Sequence, residues 1–264
     1  MNIFEQLMYT TIKMVVTTEA GITSTGTGFF VERDLPDNKK KIYLVTNKHV
    51  LKDASELSLD FCTAFDKRPV IGGIHRINLS EVSGSYVVHP DNNIDIAVLE
   101  CTGLFVQFPE TFYFKAVNMD LFATFSEPEL NVAQSIYFIG YPSAIYDTKN
   151  NLPIVRTGII ASNPKLDYEG DKKFIIDAQV FPGSSGSPVY IDLTFENIKN
   201  GQIVLDGNRN IKLLGIVAQT MIRNNELIPL TNNIHLGIQE VLGLGIVFKA
   251  TAIKELIDSM PTDN

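Results

Sequence analysis

Residues 181–190 read FPGSSGSPVY, and the three serines of this stretch lie among glycines and prolines. A nucleophilic serine has to project from a tight turn beside backbone N–H groups that can stabilise an oxyanion, and glycine lets such a turn approach a substrate closely. The turn Gly183-Ser184-Ser185-Gly186 meets these demands. Because a serine hydroxyl is a poor nucleophile without a base, the turn predicts chemistry only together with a histidine.

The chain has four histidines, and one of them stands at a position suited to catalysis. His49 comes shortly after the apolar run IYLV, where the strand pattern ends, and a strand end can hold an imidazole at a domain interface. We interpret His75, in a glycine-rich polar loop, His89, before a proline, and His235, among Asn and Gly, as surface or turn residues. Taken alone, His49 is better explained as a histidine that merely ends a strand.

Asp95 is the third residue type that such chemistry needs. It follows Ile94 and precedes the apolar run Ile96–Leu99. A carboxylate beside so apolar a run is costly unless it is hydrogen-bonded, and orienting an imidazole would satisfy it. Asp91 belongs to a polar turn and is the weaker candidate. For Asp95 alone, a turn-capping aspartate is the alternative.

Short runs rich in β-branched and aromatic residues, bounded by Gly, Pro, Asn or Asp, predict strands along most of the chain. They fall into two series, 9–18, 28–32, 42–46, 56–63, 85–89 and 94–100, followed by 135–140, 154–161, 174–177, 188–191, 211–220 and 245–248. The clearest helix pattern is at 251–260, where apolar residues share one face and Pro261 ends the pattern. Weaker helix signals lie at 2–8 and directly after His49.

Many short strands with turn residues between them predict an all-β fold. The simplest layout is two β-barrels in tandem with a C-terminal α-helix, and ligand sites favour the interface between such domains. We predict an N-terminal barrel over 1–106 carrying His49 and Asp95, an interdomain linker over 107–130, and a C-terminal barrel over 131–264 carrying Ser185 and the terminal helix.

Composition narrows the class of protein. The chain has 22 basic and 30 acidic residues and a formal net charge of −8, which argues against a nucleic-acid partner because phosphate binding needs a basic surface. No stretch approaches about 18 uncharged apolar residues, so no membrane span is predicted. Cys62 and Cys101 lie in apolar stretches and are interpreted as free thiols. Without a secretory pattern at the start, we predict a cytoplasmic protein, provided that residue 1 is the natural start.

The three clusters occur in the order His, Asp, Ser, 46 and 90 residues apart. Chain order is informative because the same triad occurs in other orders on unrelated folds. In this order the chain resembles the chymotrypsin-like (trypsin-like fold) serine peptidases, particularly bacterial HtrA-type protease domains. The matching motifs are TNKH ending at His49, NIDIAVL around Asp95 and GSSGSP around Ser185. Elsewhere the similarity is diffuse, as in residues 24–31 and 213–218.

The resemblance implies two perpendicular six-stranded barrels with the active site between them. It also implies that Ser185 attacks an acyl carbon, that His49 takes the serine proton and that Asp95 orients the imidazole. The backbone N–H groups of Gly183 and Ser185 would form the oxyanion hole. The resemblance implies no metal and no other cofactor.

The chain also departs from the family pattern in three places. Val50 replaces the cysteine that follows the histidine in many secreted members, which agrees with an intracellular protein. Ser184 replaces the aspartate that pairs with a newly cut N-terminus in trypsin-type zymogens, so activation by N-terminal cleavage is not expected. In the family geometry the hydroxyls of Ser184 and Ser187 point away from the substrate. Few residues follow the terminal helix, so no PDZ-type module is expected.

The primary specificity pocket is placed by its offset from the nucleophile. In the family, this offset puts Gln179 at the base of the pocket and Ala218, Gln219 and Thr220 on a wall. No carboxylate falls at the base, and Asp177 reaches it only if the register is wrong by two residues. The expectation is therefore cleavage after small apolar or uncharged side chains and not after Lys or Arg.

The sequence predicts a serine endopeptidase that acts on protein or peptide substrates through an acyl-enzyme intermediate. Two alternatives remain open: a non-catalytic interaction module that keeps the peptidase fold, and an esterase-type acyl hydrolase. Ser184 and the long 107–130 connection also leave room for an activating protein partner that orders the loops.

Overall fold

The computed structural model describes residues 1–108, 110–194, 198–199, 202–203, 209–227 and 236–262. His235, interpreted above as a turn residue, lies outside the described residues. The predicted fold class is confirmed, because the chain is mostly β and forms two successive β units followed by a C-terminal helix. Within the described residues, no helix is long and apolar enough to cross a membrane.

The first unit is a nine-stranded sheet. Its main path runs β5-β4-β1-β2-β3-β7-β6, with β8 paired to β4 and β9 running parallel to β2. It therefore has more strands than the six expected, and they form an open path. The strands are β1 (Thr11–Thr18), β2 (Thr23–Asp34), β3 (Lys40–Thr46), β4 (Ala54–Phe65), β5 (Arg68–Ser80), β6 (Tyr86–Val88), β7 (Ala97–Glu100), β8 (Phe112–Tyr113) and β9 (Val117–Asn118).

The second unit is a closed six-stranded barrel in the order β10-β11-β12-β17-β16-β13. A separate pair of two-residue strands, β14 and β15, lies between β13 and β16 in the chain. The strands are β10 (Ser135–Gly140), β11 (Ile154–Ile160), β12 (Lys173–Asp177), β13 (Pro188–Asp192), β14 (Ile198–Lys199), β15 (Gln202–Ile203), β16 (Ile211–Leu227) and β17 (Leu236–Lys249).

Four α-helices of the described residues lie outside the sheets: α1 (Ile3–Met8), α2 (Lys48–Leu51), α3 (Thr102–Gln107) and α4 (Ala250–Asp258). Helix α4 packs one apolar face, including Ile253 and Ile257, into a core cluster shared by both units. Arg33 of β2 donates to the carbonyl of Ile257 at 3.0 Å. The C-terminal helix thus returns to the first unit and stabilises the contact between the two.

Strand β5 was missed by the sequence analysis, which put His75 in a loop; His75 lies within this strand. The strand is at the sheet edge and most of its side chains are exposed, with Ile77 its buried residue. Because few of its side chains are buried, this edge strand lacks the apolar alternation that predicts a strand from sequence. It is defined by its backbone pairing with β4. His89, interpreted as a surface or turn residue, is buried at 6% exposure.

The stretch 107–130 was predicted to cross the surface as a linker. It contains β8 and β9, and its side chains Phe112, Val117, Phe122 and Leu130 are buried in the cores of the two units. This part of the chain therefore belongs to the packed structure, and its irregular pattern reflects strands of only two residues. The cysteines Cys62 and Cys101 are buried and unpaired, and burial raises the pKa of their thiols to about 11 and about 12.

Asp60 on β4 is the centre of a polar cluster that joins the two units. Arg76 donates from Nε and Nη2 to the two Asp60 carboxylate oxygens at 2.6 and 2.8 Å, and Lys13 Nζ lies 3.7 Å from Oδ2. Lys13 Nζ also donates to the Tyr146 hydroxyl at 2.9 Å, and Asn151 Nδ2 donates to the Asp60 carbonyl at 2.7 Å. Tyr146 and Asn151 belong to the β10–β11 connection, which is thereby held on the first sheet.

We predict that Asp60→Asn lowers the free energy of unfolding at pH 7 by about 3 kcal/mol, because the cations facing this buried carboxylate lose their partner. The Arg76 hydrogen bonds lower the pKa of Asp60. Its stabilising effect is therefore present above the unfolded-state pKa near 4 and disappears as the pH falls through the lower folded-state pKa. The unfolding free energies of wild type and variant, measured in urea, should therefore converge only below the folded-state pKa of Asp60, which lies under the ordinary value of about 4. Asp34→Asn, in an exposed pair with Lys40, is the control; equal losses in the two variants would contradict the prediction.

Candidate active site

The His49 imidazole and the Asp95 carboxylate are hydrogen-bonded to each other. His49 lies in α2, directly after β3, and Asp95 precedes β7, the strand paired with β3. His49 Nδ1 is 2.5 Å from Asp95 Oδ2, and the His49 backbone N–H donates to Oδ1 at 3.1 Å. The buried Asn47 side chain donates to the Asp95 carbonyl at 2.7 Å. In a neutral imidazole whose Nδ1–H donates to this carboxylate, the other ring nitrogen, Nε2, carries no proton and can act as an acceptor.

Ser185 lies in the 181–187 loop before β13, and it lines the same cleft as His49 and Asp95. Its hydroxyl donates to the carbonyl of Ala218 on β16 at 2.8 Å. The structure thus brings the three predicted side chains into one cleft, with the Ser185 hydroxyl turned to Ala218. Ser184 and Ser187 are buried, at 1% and 0% exposure, so neither hydroxyl reaches the cleft surface.

Five consecutive carbonyl groups of the 181–185 segment all accept hydrogen bonds from the protein. Four of the donors are backbone N–H groups, and one is a side chain, the hydroxyl of Thr27. The pairs are Ser184 N to Phe181 O at 2.9 Å, Ser143 N to Pro182 O at 2.5 Å, Thr27 Oγ1 to Gly183 O at 2.8 Å, Ser187 N to Ser184 O at 3.0 Å, and Thr27 N to Ser185 O at 3.0 Å.

The N–H groups of Gly183 and Ser185 are the predicted oxyanion donors. Within the part of the chain that the structure describes, neither N–H donates a hydrogen bond. Gly183 has a φ of 84°, a conformation that L side chains rarely adopt and that glycine takes without strain. An unpaired backbone N–H is normally satisfied by some acceptor. These two amides are therefore free to bind an anionic oxygen placed beside Ser185.

The cleft has a volume of about 360 Å³. Of the predicted pocket residues, Ala218, Gln219 and Thr220 line it, whereas Gln179 is exposed and does not. The offset from Ser185 misplaced Gln179 because side chains alternate along the extended segment before the loop, and Val180 points inward there. Among the described residues, the cleft is lined by His49, Asp95, Val180, Phe181, Pro182, Ser185, Ala218, Gln219 and Thr220.

Thr27, Asn47 and Ser143 were not singled out by the sequence analysis, although each makes a hydrogen bond at the site. For Thr27 a signal was present, because it stands between two glycines in a strand. A Cβ on Gly26 would lie 2.6 Å from Val50 Cγ1, so the strand passes unusually close to the His49 helix. Asn47 and Ser143 each make one hydrogen bond to a backbone carbonyl at the site, and no sequence pattern predicts such a bond.

A family model described as trypsin-like peptidase domain matches residues 26–195, a segment that includes His49, Asp95 and Ser185. The chain belongs to this trypsin-like peptidase domain family. No curated protein matches the chain. Among the described residues of this family member, no group of three or more His, Cys, Asp or Glu is arranged to hold a metal ion.

Solved structures of bacterial proteases share the fold of this trypsin-like domain. An HtrA-type protease solved with a tripeptide has a TM-score of 0.52 at 16% identity, over 97% of this chain and 61% of that one. The active form of the Rv3671c protease from M. tuberculosis has a TM-score of 0.52 at 15% identity, over 99% and 85%. The protease Anisep from Arthrobacter nicotinovorans has a TM-score of 0.53 at 12% identity, over 96% of each chain. The chain thus spans less than two thirds of the HtrA-type protease, and at these identities the likeness concerns the fold.

We predict that Gly186→Ala destabilises the site far more than a change at another left-handed glycine. Gly186 has a φ of 91°, and an added Cβ would lie 1.8 Å from the Thr27 carbonyl oxygen. Gly84 has a φ of 81°, with no atom within 4 Å of an added Cβ. Gly84→Ala should therefore cost only the backbone strain, about 1–2 kcal/mol, whereas Gly186→Ala should cost several kcal/mol more as the loop is displaced. Urea unfolding measures both, and similar losses would contradict the close contact.

Proposed function

We propose that this chain is a serine endopeptidase in which Ser185 is the nucleophile, His49 the general base and Asp95 the residue that orients it. The single observation that carries the proposal is the shared cleft. It is lined by the hydrogen-bonded His49–Asp95 pair and by Ser185, and the N–H groups of Ser185 and of nearby Gly183 donate no hydrogen bond among the described residues. Membership of the trypsin-like peptidase family supports the same reaction class.

In the first step, the Ser185 hydroxyl turns from the Ala218 carbonyl towards His49 and attacks the scissile carbonyl carbon. The Oγ–C bond forms as the serine proton passes to His49 Nε2. The Asp95 carboxylate, 2.5 Å from Nδ1, stabilises the imidazolium that results. When the tetrahedral intermediate collapses, the C–N bond breaks and His49 gives the proton to the leaving amine. The product is an acyl-enzyme on Ser185.

The developing oxyanion is stabilised by the Gly183 and Ser185 amides. Preorganised donors of this kind need no reorganisation during the reaction, and the loss of one typically costs about 10²–10³ in rate. A water molecule then repeats the sequence of proton transfers, with His49 as its base, and releases the acid product.

The paired carbonyls of the 181–185 segment support a site that is competent without an activating partner. A collapsed oxyanion site would turn the Pro182 carbonyl into the cleft, whereas this carbonyl accepts from Ser143. The expected cytoplasmic location stays part of the proposal, and the buried, unpaired cysteines are compatible with it.

The lining of the cleft favours substrates with small apolar or uncharged side chains before the scissile bond. Val180, Phe181, Ala218 and Thr220 are uncharged, and Asp95, the carboxylate in the lining, is bonded to His49. A Lys or Arg side chain would be desolvated there without a counter-charge, which is unfavourable.

The catalytic assignment is tested with a fluorophosphonate probe, which needs an activated serine. We expect labelling at Ser185 by peptide mapping, no labelling of Ser185→Ala, and slower labelling of Asp95→Asn by about 10³–10⁴-fold, since the imidazole is no longer held in the right tautomer. Ser162→Ala is the control: the Ser162 hydroxyl accepts from the Ile175 backbone N–H and does not line the cleft, so this variant should be labelled like wild type.

Labelling of another serine, or of none, would end the catalytic assignment and favour the interaction module. If Ser185 is labelled and the protein cleaves simple esters but no peptide of a diverse library, the esterase alternative replaces the endopeptidase.

The same library digest tests specificity. We expect cleavage after small apolar or uncharged residues, and Thr220→Asp, which adds a carboxylate to the lining, should increase cleavage after Lys and Arg relative to wild type. Efficient wild-type cleavage after Arg would contradict the neutral pocket.

A further inference from the structure

Thr27 is fully buried on β2, in the first unit, yet it bonds the loop that carries Ser185 in the second. Its hydroxyl donates to the Gly183 carbonyl at 2.8 Å, and its backbone N–H donates to the Ser185 carbonyl at 3.0 Å. The same hydroxyl oxygen accepts from the Tyr141 backbone N–H at 3.1 Å. One residue thus fixes carbonyls on both sides of Ser184.

These bonds hold peptide units that are directly adjacent to the units carrying the two oxyanion donors. A peptide unit is planar, so a carbonyl held on one side of the loop sends the N–H of the same unit to the other side. The Gly183 carbonyl belongs to the peptide that lies between the two donor amides, and holding it limits the rotation of the units on either side. The other carbonyls of 181–184 accept from backbone N–H groups. Among the described residues, the Thr27 hydroxyl is therefore the one side-chain group that donates to a carbonyl of this segment.

Thr27 is also connected to the residues that position the base. Thr46, the last residue of β3, donates from its hydroxyl to the Thr27 carbonyl at 2.8 Å. Asn47 and His49 follow directly in the chain. The segment that carries the imidazole and the loop that carries Ser185 are thus both hydrogen-bonded to Thr27.

We propose that Thr27 is a positioning residue that sets the oxyanion hole through the hydrogen bond from its hydroxyl to Gly183; this rests on the proposed peptidase function. Thr27 is fully buried and does not line the cleft, so its side chain is not within reach of a bound substrate. It acts by keeping the Gly183 and Ser185 amides directed into the cleft, where the charged intermediate forms. Its effect therefore falls on the transition state and not on ground-state substrate binding.

The decisive variants are Thr27→Val, which keeps the shape and loses the hydroxyl, and Thr27→Ser, which keeps the hydroxyl. We expect Thr27→Val to slow fluorophosphonate labelling of Ser185 and to lower kcat by about 10–100-fold, somewhat less than the loss of a whole oxyanion donor. KM should change by less than about twofold, and the affinity for a peptide aldehyde, which mimics the tetrahedral state, should fall with kcat. Thr27→Ser should restore the labelling rate, kcat and the affinity for the peptide aldehyde.

Thr10→Val is the matched control. Thr10 is buried at 3% exposure, and its hydroxyl donates to the Leu7 carbonyl at 2.7 Å and lies 3.2 Å from the Tyr190 hydroxyl; neither Thr10 nor Tyr190 lines the cleft. It should lose thermal stability comparably to Thr27→Val while labelling at the wild-type rate. A purely structural role of Thr27 would instead make the two variants alike in every measurement.

The outcomes separate this proposal from the proposed function. If wild type is labelled at Ser185 and Thr27→Val is labelled at the same rate, Thr27 does not position the donors, although the peptidase assignment stands. If wild type is not labelled, both proposals are overturned. Should Thr27→Val fail to fold, Thr27→Cys replaces it, because a thiol is a weak donor; rates in the order Thr and Ser above Cys support the proposal, and equal rates contradict it.

Discussion

The orientation of one peptide segment is the constraint on which the proposed active site depends. Two amides at Gly183 and Ser185 have to remain unpaired and face the cleft, although a backbone N–H normally finds an acceptor. In the structure every carbonyl of the 181–185 segment accepts a hydrogen bond from the protein, whereas these two amides donate none among the described residues. Any of these carbonyls that rotated into the cleft would compete for the amides or occupy the oxyanion position.

The donors for this segment come from three different parts of the fold. Thr27 is on a strand of the first sheet, Ser143 is in the β10–β11 connection, and the remaining donors are in the loop itself. That connection is in turn held on the first sheet through Asp60 and its cationic partners. The site is therefore formed at the contact between the two units, and residues of each unit hydrogen-bond site residues of the other.

This division explains what could be predicted from the sequence. His49, Asp95 and Ser185 each interrupt a local pattern: a polar residue at a strand end, a carboxylate beside an apolar run, and a glycine-rich turn between strands. No one of them was decisive alone, and they became recognisable as a set through their order in the chain and the family resemblance. The strands were predicted from runs rich in β-branched and aromatic residues between turn residues, and the C-terminal helix from apolar residues that share one face. These signals are local, and the structure agrees with them in fold and in bringing the three side chains into one cleft.

The features that were missed depend on contacts between distant segments. Strand β5 is defined by its ladder with β4 and buries little, so its composition resembles a loop. Whether Gln179 or Val180 faces the cleft depends on which way the extended segment before the loop presents its alternating side chains. Counting residues back from Ser185 cannot predict this. The role of Thr27 depends on two bonds to residues more than 150 positions away.

The substitution at Ser184 has a physical consequence for how the loop is held. In trypsin-type zymogens the residue at this position is an aspartate that pairs with a charged N-terminus, whereas here it is a buried, uncharged serine. The bonds that orient the 181–185 segment join neutral groups: amides, carbonyls and one hydroxyl. None of these groups titrates between about pH 4 and 10, and no charge has to be buried at Ser184. The hydrogen bonds that hold this loop therefore do not depend on a charged N-terminus, in contrast to the aspartate pair of the zymogens.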